Sequence, residues 1–369
     1  MPAAPCETDR AVLAADFDGA AVAACRPTRR GFVVRIEPED EPINPSPWYA
    51  FQLTPKAAGT VQVEIDYGEA RHRYRPKRSE DGEHWALLDE ADVRLRRKDH
   101  AVRLDIALDG APVMVAGQEI VDEADNDAFL ENLAADGFHL IEIGASIEGR
   151  PIRALSTTPL SEAPKGDIVL LIGRQHPPEV TGALAMQSFL STVFGDTELA
   201  KAFRTRFQVI AIPLLNPDGV AHGHWRHNLG GVDLNRDWGP FTQPETQAVL
   251  ALLDAIDDSP QADLKLMLDF HSTKRNVFYT QAVEEETDPA GFTGAWLAAA
   301  GAWLGEAYPI DRAERHQSNL PTAKNYVFRR FGAPSITYEL DDRADRDLIK
   351  RSAPIFAEEA MRTLLEGVE

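Results

Sequence analysis

Between residues 31 and 108, apolar and polar side chains alternate in short runs, most clearly in Val61-Gln62-Val63-Glu64-Ile65 and Val102-Arg103-Leu104-Asp105-Ile106. A period of two is the pattern of a strand with one buried face. Four runs, 31–36, 48–53, 60–67 and 101–108, share this alternation or its β-branched and aromatic content. Turn-forming clusters separate them: Glu37-Pro38-Glu39-Asp40, Asn44-Pro45-Ser46-Pro47, Asp81-Gly82 and Asp109-Gly110. Strands at this spacing predict an antiparallel β-sandwich domain over residues 1–120. Residues 122–136 are polar and predict a helical linker.

From Phe138 the period changes. Near-continuous apolar runs at 168–172, 207–215, 264–270 and 335–340 alternate with helical stretches. The stretch 179–194 keeps Val180, Ala183, Leu184, Gln187 and Phe189 near one side, and 344–369 reads as a closing helix. A strand with no polar face is covered on both sides. Residues 121–369 are therefore expected to form an α/β domain, a mixed and mostly parallel sheet flanked by helices. Candidate chemical groups lie at or just past the ends of these strands, where open α/β sheets bind ligands.

Composition narrows the setting. A chain of 369 residues suits two domains, and 44% hydrophobic residues suits packed cores. No apolar stretch is long enough to span a bilayer. The first ten residues are polar and acidic, without the basic and apolar regions of a secretory signal. Cys6 and Cys25 are read as free thiols in a reducing compartment, which points to the cytoplasm. The formal net charge of −21 excludes nucleic acid and anionic membrane as partners. An anionic substrate would need local basic residues to hold it against that field.

The chemistry starts at His176-Pro177-Pro178-Glu179. A His and a Glu three residues apart reach one metal ion, and the two prolines restrict the bend between them. His271, emerging from the apolar run Leu266-Met267-Leu268-Asp269-Phe270, would complete three protein ligands. Three ligands with one open position is the count of a catalytic zinc site. Glu339 ends the last apolar run; partial burial would raise its pKa and suit it to act as a general base. Between these lie Asn216-Pro217-Asp218-Gly219, Arg226, and Asp233-Leu234-Asn235-Arg236. An Asn-Arg pair can bind a carboxylate, a further Arg can stabilise an oxyanion, and Asp233 can hold the far nitrogen of a metal-bound His. A surface loop laced with salt bridges is the plain alternative for those four residues.

This ordered set resembles the zinc metallocarboxypeptidases of the carboxypeptidase A superfamily. Its details resemble the cytosolic carboxypeptidase branch most: Arg174 to Glu179 match an Arg-x-His-Pro-x-Glu context, and Lys274-Arg275-Asn276-Val277-Phe278 match the stretch after the second His. Trp48-Tyr49-Ala50-Phe51 and the region from Tyr74-Arg75-Pro76 to Trp85 resemble that branch's N-terminal β-sandwich domain. The resemblance implies one zinc per chain, bound by His176, Glu179 and His271, with Glu339 as general base and then acid. It implies that Arg226 polarises the scissile carbonyl, that Asn235 and Arg236 grip a terminal carboxylate, and that Asp233 orients a zinc-bound His. Lys324 falls near the position lining the pocket for the terminal side chain, which implies a preference for acidic C-terminal residues of a peptide or protein. Pro178 stands where digestive carboxypeptidases have an Arg, and the mobile Tyr that caps their substrates has no match. The same centre suits a zinc amidohydrolase acting on an N-acyl amino acid or a cell-wall amide. A binding homologue that has lost catalysis is a third class, opposed by the presence of all three ligands and Glu339.

Overall fold

The structure is a computed structural model and describes residues 6–367. The described residues form two compact units. The first is the chain up to Asp122 together with His176–Pro178 and Asp218–Gly231; the second is Glu123–Gln175, Glu179–Pro217 and the chain from Val232 onward. Two later segments that the expected division at 120/121 does not separate thus group with the first unit. The expectation of a leaderless N-terminus rests partly on residues 1–5, and that of the closing helix partly on 368 and 369; both lie outside the described residues. Among the described residues no helix is long and apolar enough to cross a membrane.

The first unit holds two sheets. One runs in the order Cys6–Glu7, Ala11–Ala14, Ala50–Pro55, Val113–Ala116, Lys77–Ser79, Ala86–Leu87, with every pair antiparallel. The other runs Ala24–Thr28, Gly31–Arg35, Gly59–Asp66, Ala101–Leu108, Val93–Arg96. The period of two is realised here: buried Val61, Val63 and Ile65 lie opposite buried Ile106, Leu104 and Val102. One pair departs from the expected antiparallel pattern, since Gly31–Arg35 runs parallel to Gly59–Asp66. The chain passes through the first sheet, as Ala50–Pro55, between those two strands, and such a crossover permits a parallel return. Gly31, at φ 149°, is required there, because a Cβ would sit 2.0 Å from the Gln62 carbonyl oxygen.

The cysteines correct an expectation. Cys6 and Cys25 are not free thiols but form a disulfide. Cys6 lies in a strand of the first sheet and Cys25 in an edge strand of the second, and their Cα atoms come to 6.0 Å. That separation is within bridging range. The pairing depends on strands from different sheets, so the spacing of the two cysteines in the sequence carried no trace of it.

The second unit is built on eight strands in the order His139–Ala145, Pro151–Ser156, Phe207–Ile212, Gly166–Gly173, Ala262–Thr273, Ser335–Asp341, Val277–Thr280, Arg312–Glu314. The central pairs, from Phe207–Ile212 to Ser335–Asp341, are parallel. Successive residues of one strand feed opposite cores. Val169 and Leu171 pack with the helices Val180–Val193, Glu198–Arg206, Phe292–Leu304 and Arg346–Glu366. Ile168, Leu170 and Ile172 pack with Pro244–Asp257 and Ala323–Phe331. This is the two-faced burial that the uninterrupted apolar runs predict. Local chemistry sets the helix ends: Asp345 accepts from the backbone N–H groups of Asp347 and Leu348, Thr322 caps Asn325, and Gly332 closes the Ala323–Phe331 helix at φ 69°.

Candidate metal centre and active site

The strand Gly166–Gly173 delivers the chain to the site. Beyond it Arg174 adopts φ 53°, and the backbone N–H groups of Leu215 and Asn216 bond to the carbonyls of Gly173 and Arg174. The Asn216 side chain donates to the Gln175 carbonyl at 3.1 Å. Asn216 and Gln175 are wholly buried, so these bonds hold the bend before the two prolines rigidly.

Glu179 leads into the helix Val180–Val193, whose first turn is pressed against the strand Ala262–Thr273. Gly182 makes this contact possible: a Cβ there would lie 2.6 Å from the His271 carbonyl oxygen. Ser272 pins the same turn, its Oγ accepting from Gly182 N at 2.9 Å and from Thr181 Oγ1 at 2.7 Å. Its backbone N–H donates to Glu179 Oε2 at 3.2 Å.

These contacts bring three groups together. The ligand atoms of His176, Glu179 and His271 all lie within 4.8 Å of one another, and all three residues are buried. His271 Nδ1 faces Glu179 Oε2 at 2.7 Å, while its Nε2 lies 2.8 Å from Asp269 Oδ2. Asp269 and His271, two apart on one strand, project to the same face. Gln175 fixes the Asp269 carboxylate through Nε2 at 2.8 Å, and the Trp238 indole N–H donates to Gln175 Oε1 at 2.9 Å. An indole N–H can only donate, so this contact orients the Gln175 amide with its NH2 toward Asp269. Burial alone would depress the His271 pKa, but the carboxylates on its two nitrogens outweigh it and hold the imidazole well above its ordinary value. A proton, or a cation in its place, is thus favoured between Nδ1 and Oε2. Two imidazoles and a carboxylate, with Nε2 of one His held by an Asp, are the donor set that suits a zinc ion.

Glu339 lies in register with His271 on the neighbouring parallel strand. Its Oε2 is buried and has no hydrogen-bond partner among the described residues. Burial, with the Glu179 carboxylate beside it, pushes the Glu339 pKa up to about 8, against the opposing charge of His271.

The other predicted residues lie as follows. Asn235 Nδ2 is 3.3 Å from His271 Nε2, and its Oδ1 accepts from Ala323 N at 2.9 Å. Asp233 caps the short turn Leu234–Arg236 by accepting from Asn235 N. The carboxylate on the far nitrogen of His271 is that of Asp269, which the sequence-based assignment did not single out. Its one signal was a charge inside an otherwise apolar run. Arg236 donates to the Asn235 carbonyl and to Gln317 Oε1. Lys324 is 4% exposed and donates to Asn325 Oδ1 at 2.9 Å. Burial pushes its pKa down to about 8; Glu285 opposes this and Arg329 adds to it. His316 titrates below its ordinary value, first through burial and then through the charges of Lys324, Arg236 and Arg275, so these basic groups share one field. Its ring stacks on Tyr279 with centroids 4.0 Å apart. Arg226 is buried within the first unit, on the segment Asp218–Gly231.

Comparison with known proteins gives the class. Residues 127–350 match the Peptidase_M14 zinc carboxypeptidase family, and this chain belongs to it. It is 30% identical over 166 residues to cytosolic carboxypeptidase 6 of Mus musculus, covering 42% of this chain and 31% of that one. It is 35% identical over 127 residues to cytosolic carboxypeptidase 3 of Bos taurus, covering 33% and 13%. The chain thus spans about a third or less of the length of these curated relatives. Among solved structures, a metallo-carboxypeptidase from Burkholderia cenocepacia superposes with a TM-score of 0.78 at 21% identity, over 96% of this chain and 97% of that one. A metallo-carboxypeptidase from Pseudomonas aeruginosa, in complex with (2-guanidinoethylmercapto)succinic acid, superposes with a TM-score of 0.77 at 20% identity, over 96% and 99%. These two likenesses bear on the fold.

Proposed function

We propose that this chain is a zinc-dependent metallocarboxypeptidase that hydrolyses the C-terminal peptide bond of a peptide or protein and prefers acidic terminal residues. The observation that carries the reading is the convergence of His176, Glu179 and His271 beside Glu339, whose buried Oε2 lacks a partner among the described residues. Zinc, when bound by those three residues, supplies a Lewis acid that makes water a nucleophile near neutral pH. Glu339 accepts the water proton and returns it to the leaving amine. Arg226 hydrogen-bonds the scissile carbonyl oxygen as negative charge develops there. Asn235 and Arg236 take the terminal carboxylate, and Asp233 orients a ligating His. Lys324, with Arg236 and Arg275 in the same field, favours a side-chain carboxylate at the terminus. The cytoplasm is the location expected from two free thiols; the Cys6–Cys25 bridge removes that ground and points the other way, because cytosolic thiols are kept reduced, while the name of the cytosolic carboxypeptidase relatives supports the cytoplasm.

The test is mass-spectrometric detection of residues released from peptides ending in Glu, Asp, Leu, Phe, Lys or Arg, with and without a zinc chelator. Chelator-sensitive loss of one terminal residue, fastest for Glu or Asp, is expected. No release from any peptide by zinc-loaded protein would overturn the reading, and cleavage of N-acyl amino acids alone would replace it with an amidohydrolase.

A further inference from the structure

The turn Glu37-Pro38-Glu39-Asp40 follows the strand Gly31–Arg35, yet it is bonded to a loop far along the chain. Glu39 accepts three consecutive backbone N–H groups: Trp225 N at 2.7 Å on Oε2, and Arg226 N at 2.8 Å and His227 N at 2.5 Å on Oε1. Successive N–H groups converging on one point form an anion-binding concavity, and here a carboxylate of the same chain fills it. Bonds to an ionised acceptor are about twice as strong as neutral ones, so three of them fix the backbone of 225–227 closely. Asp40 adds a second hold through Oδ1, 2.6 Å from His227 Nδ1. Its other oxygen occupies the space a side chain at position 231 would need: a Cβ on Gly231 would lie 2.8 Å from Asp40 Oδ2. The start of the segment is fixed in the same unit, where Gly19 N donates to the Ala221 carbonyl at 2.7 Å and a Cβ on Gly223 would meet Ala20 O at 2.8 Å. Trp225, Arg226, His227 and Asn228 are all buried.

The centre of this grip is the backbone of Arg226, the residue assigned above to the scissile carbonyl. We propose that Glu39, supported by Asp40, is a positioning residue for Arg226: the turn after the strand Gly31–Arg35 holds the backbone that carries the carbonyl-polarising guanidinium, through a carboxylate that never touches substrate. The inference rests on the carboxypeptidase reading of Arg226. It gives the N-terminal unit a role in the chemical step, beyond stabilising the fold or recruiting substrate. Displacing a catalytic group by about 1 Å costs roughly a hundredfold in rate. Loosening Arg226 should therefore lower kcat and leave KM and zinc content nearly unchanged.

The test is a double-mutant cycle on the zinc-loaded full chain with a Glu-ended peptide, comparing wild type, Glu39→Gln, Arg226→Ala and the double variant, with kcat, KM and zinc per chain measured for each. Glu39→Gln removes the charge and one acceptor oxygen. It is expected to lower kcat about ten- to a hundredfold with KM within about threefold, and to add nothing in the Arg226→Ala background. Full kcat in Glu39→Gln beside a slow Arg226→Ala would overturn the inference alone, as would losses that multiply in the double variant. Full kcat in Arg226→Ala would overturn the assignment of Arg226 and the inference with it. If Glu39→Gln does not fold, Glu39→Asp, which keeps the charge but shortens the reach, enters the same cycle with the same deciding outcomes.

Discussion

His271 and Glu339 are direct register partners on adjacent parallel strands, Ala262–Thr273 and Ser335–Asp341. Paired residues of a parallel ladder point to the same face, so the geometry that aims His271 at Glu179 also places Glu339 beside the candidate metal ligands. Glu339→Gln keeps the shape and removes the base. It is expected to bind zinc at one ion per chain and to lose about 10²–10⁴-fold in kcat. Zinc content by atomic absorption beside steady-state kinetics checks this, and near-full activity would reject the general-base assignment.

Asp269 holds Nε2 of His271 and is itself held by Gln175 and, through it, Trp238. Asp269→Asn keeps the volume but removes the charge that favours a proton on Nε2. Zinc affinity should fall about 10–100-fold, the usual cost of losing a carboxylate behind a ligating His. Competition with a fluorescent chelator measures it, and an unchanged affinity would make Asp269 a packing residue.

Lys324 gives a pH dependence with a definite sign. Burial favours its neutral form, so its pKa falls from 10.5 to about 8. Below about pH 8 the ammonium is charged and attracts a side-chain carboxylate; above it the attraction fades. The ratio of kcat/KM for a Glu-ended over a Leu-ended peptide should drop through that pH, while shared ionisations of the catalytic groups cancel in the ratio. Lys324→Arg should flatten the profile, because Arg stays charged, and Lys324→Ala should abolish the preference. A ratio that does not change with pH in the unmodified chain would move the acidic pocket elsewhere.

The Cys6–Cys25 bridge closes a loop with a sequence separation of 19. By loop-closure entropy, replacing both cysteines with Ser should cost about 3 kcal/mol. Denaturant unfolding measures the loss, and kcat/KM should stay unchanged. Two titratable thiols in unreduced, denatured protein would show that the pair is open in solution.

Much of the scaffold is legible in the sequence because burial imposes a period. Ile168, Leu170 and Ile172 against Val169 and Leu171 spell out a strand with two covered faces, and Val61, Val63 and Ile65 one with a single covered face. The three candidate ligands stand out because donor residues follow apolar runs in order. What stayed hidden depends on partners distant in the chain. Asp269 looks like an interruption until its strand neighbour His271 needs a carboxylate. Gly182 looks like a weak helix residue until the strand beneath it is in place. Glu39 and Asp40 look like turn formers, because nothing in their surroundings announces a loop lying 187 residues on.

That distance also orders events during biosynthesis. A ribosome adding roughly 5–20 residues per second needs about 10–40 s between Glu39 and Arg226. Through that interval the N-terminal sheets can pair their strands, but the backbone N–H groups of 225–227 that Glu39 binds do not yet exist. The earlier of these two units to emerge is thus completed late, and a pause or cleavage before residue 231 would leave its strands paired while Glu39 still lacked the backbone groups it holds in the folded chain.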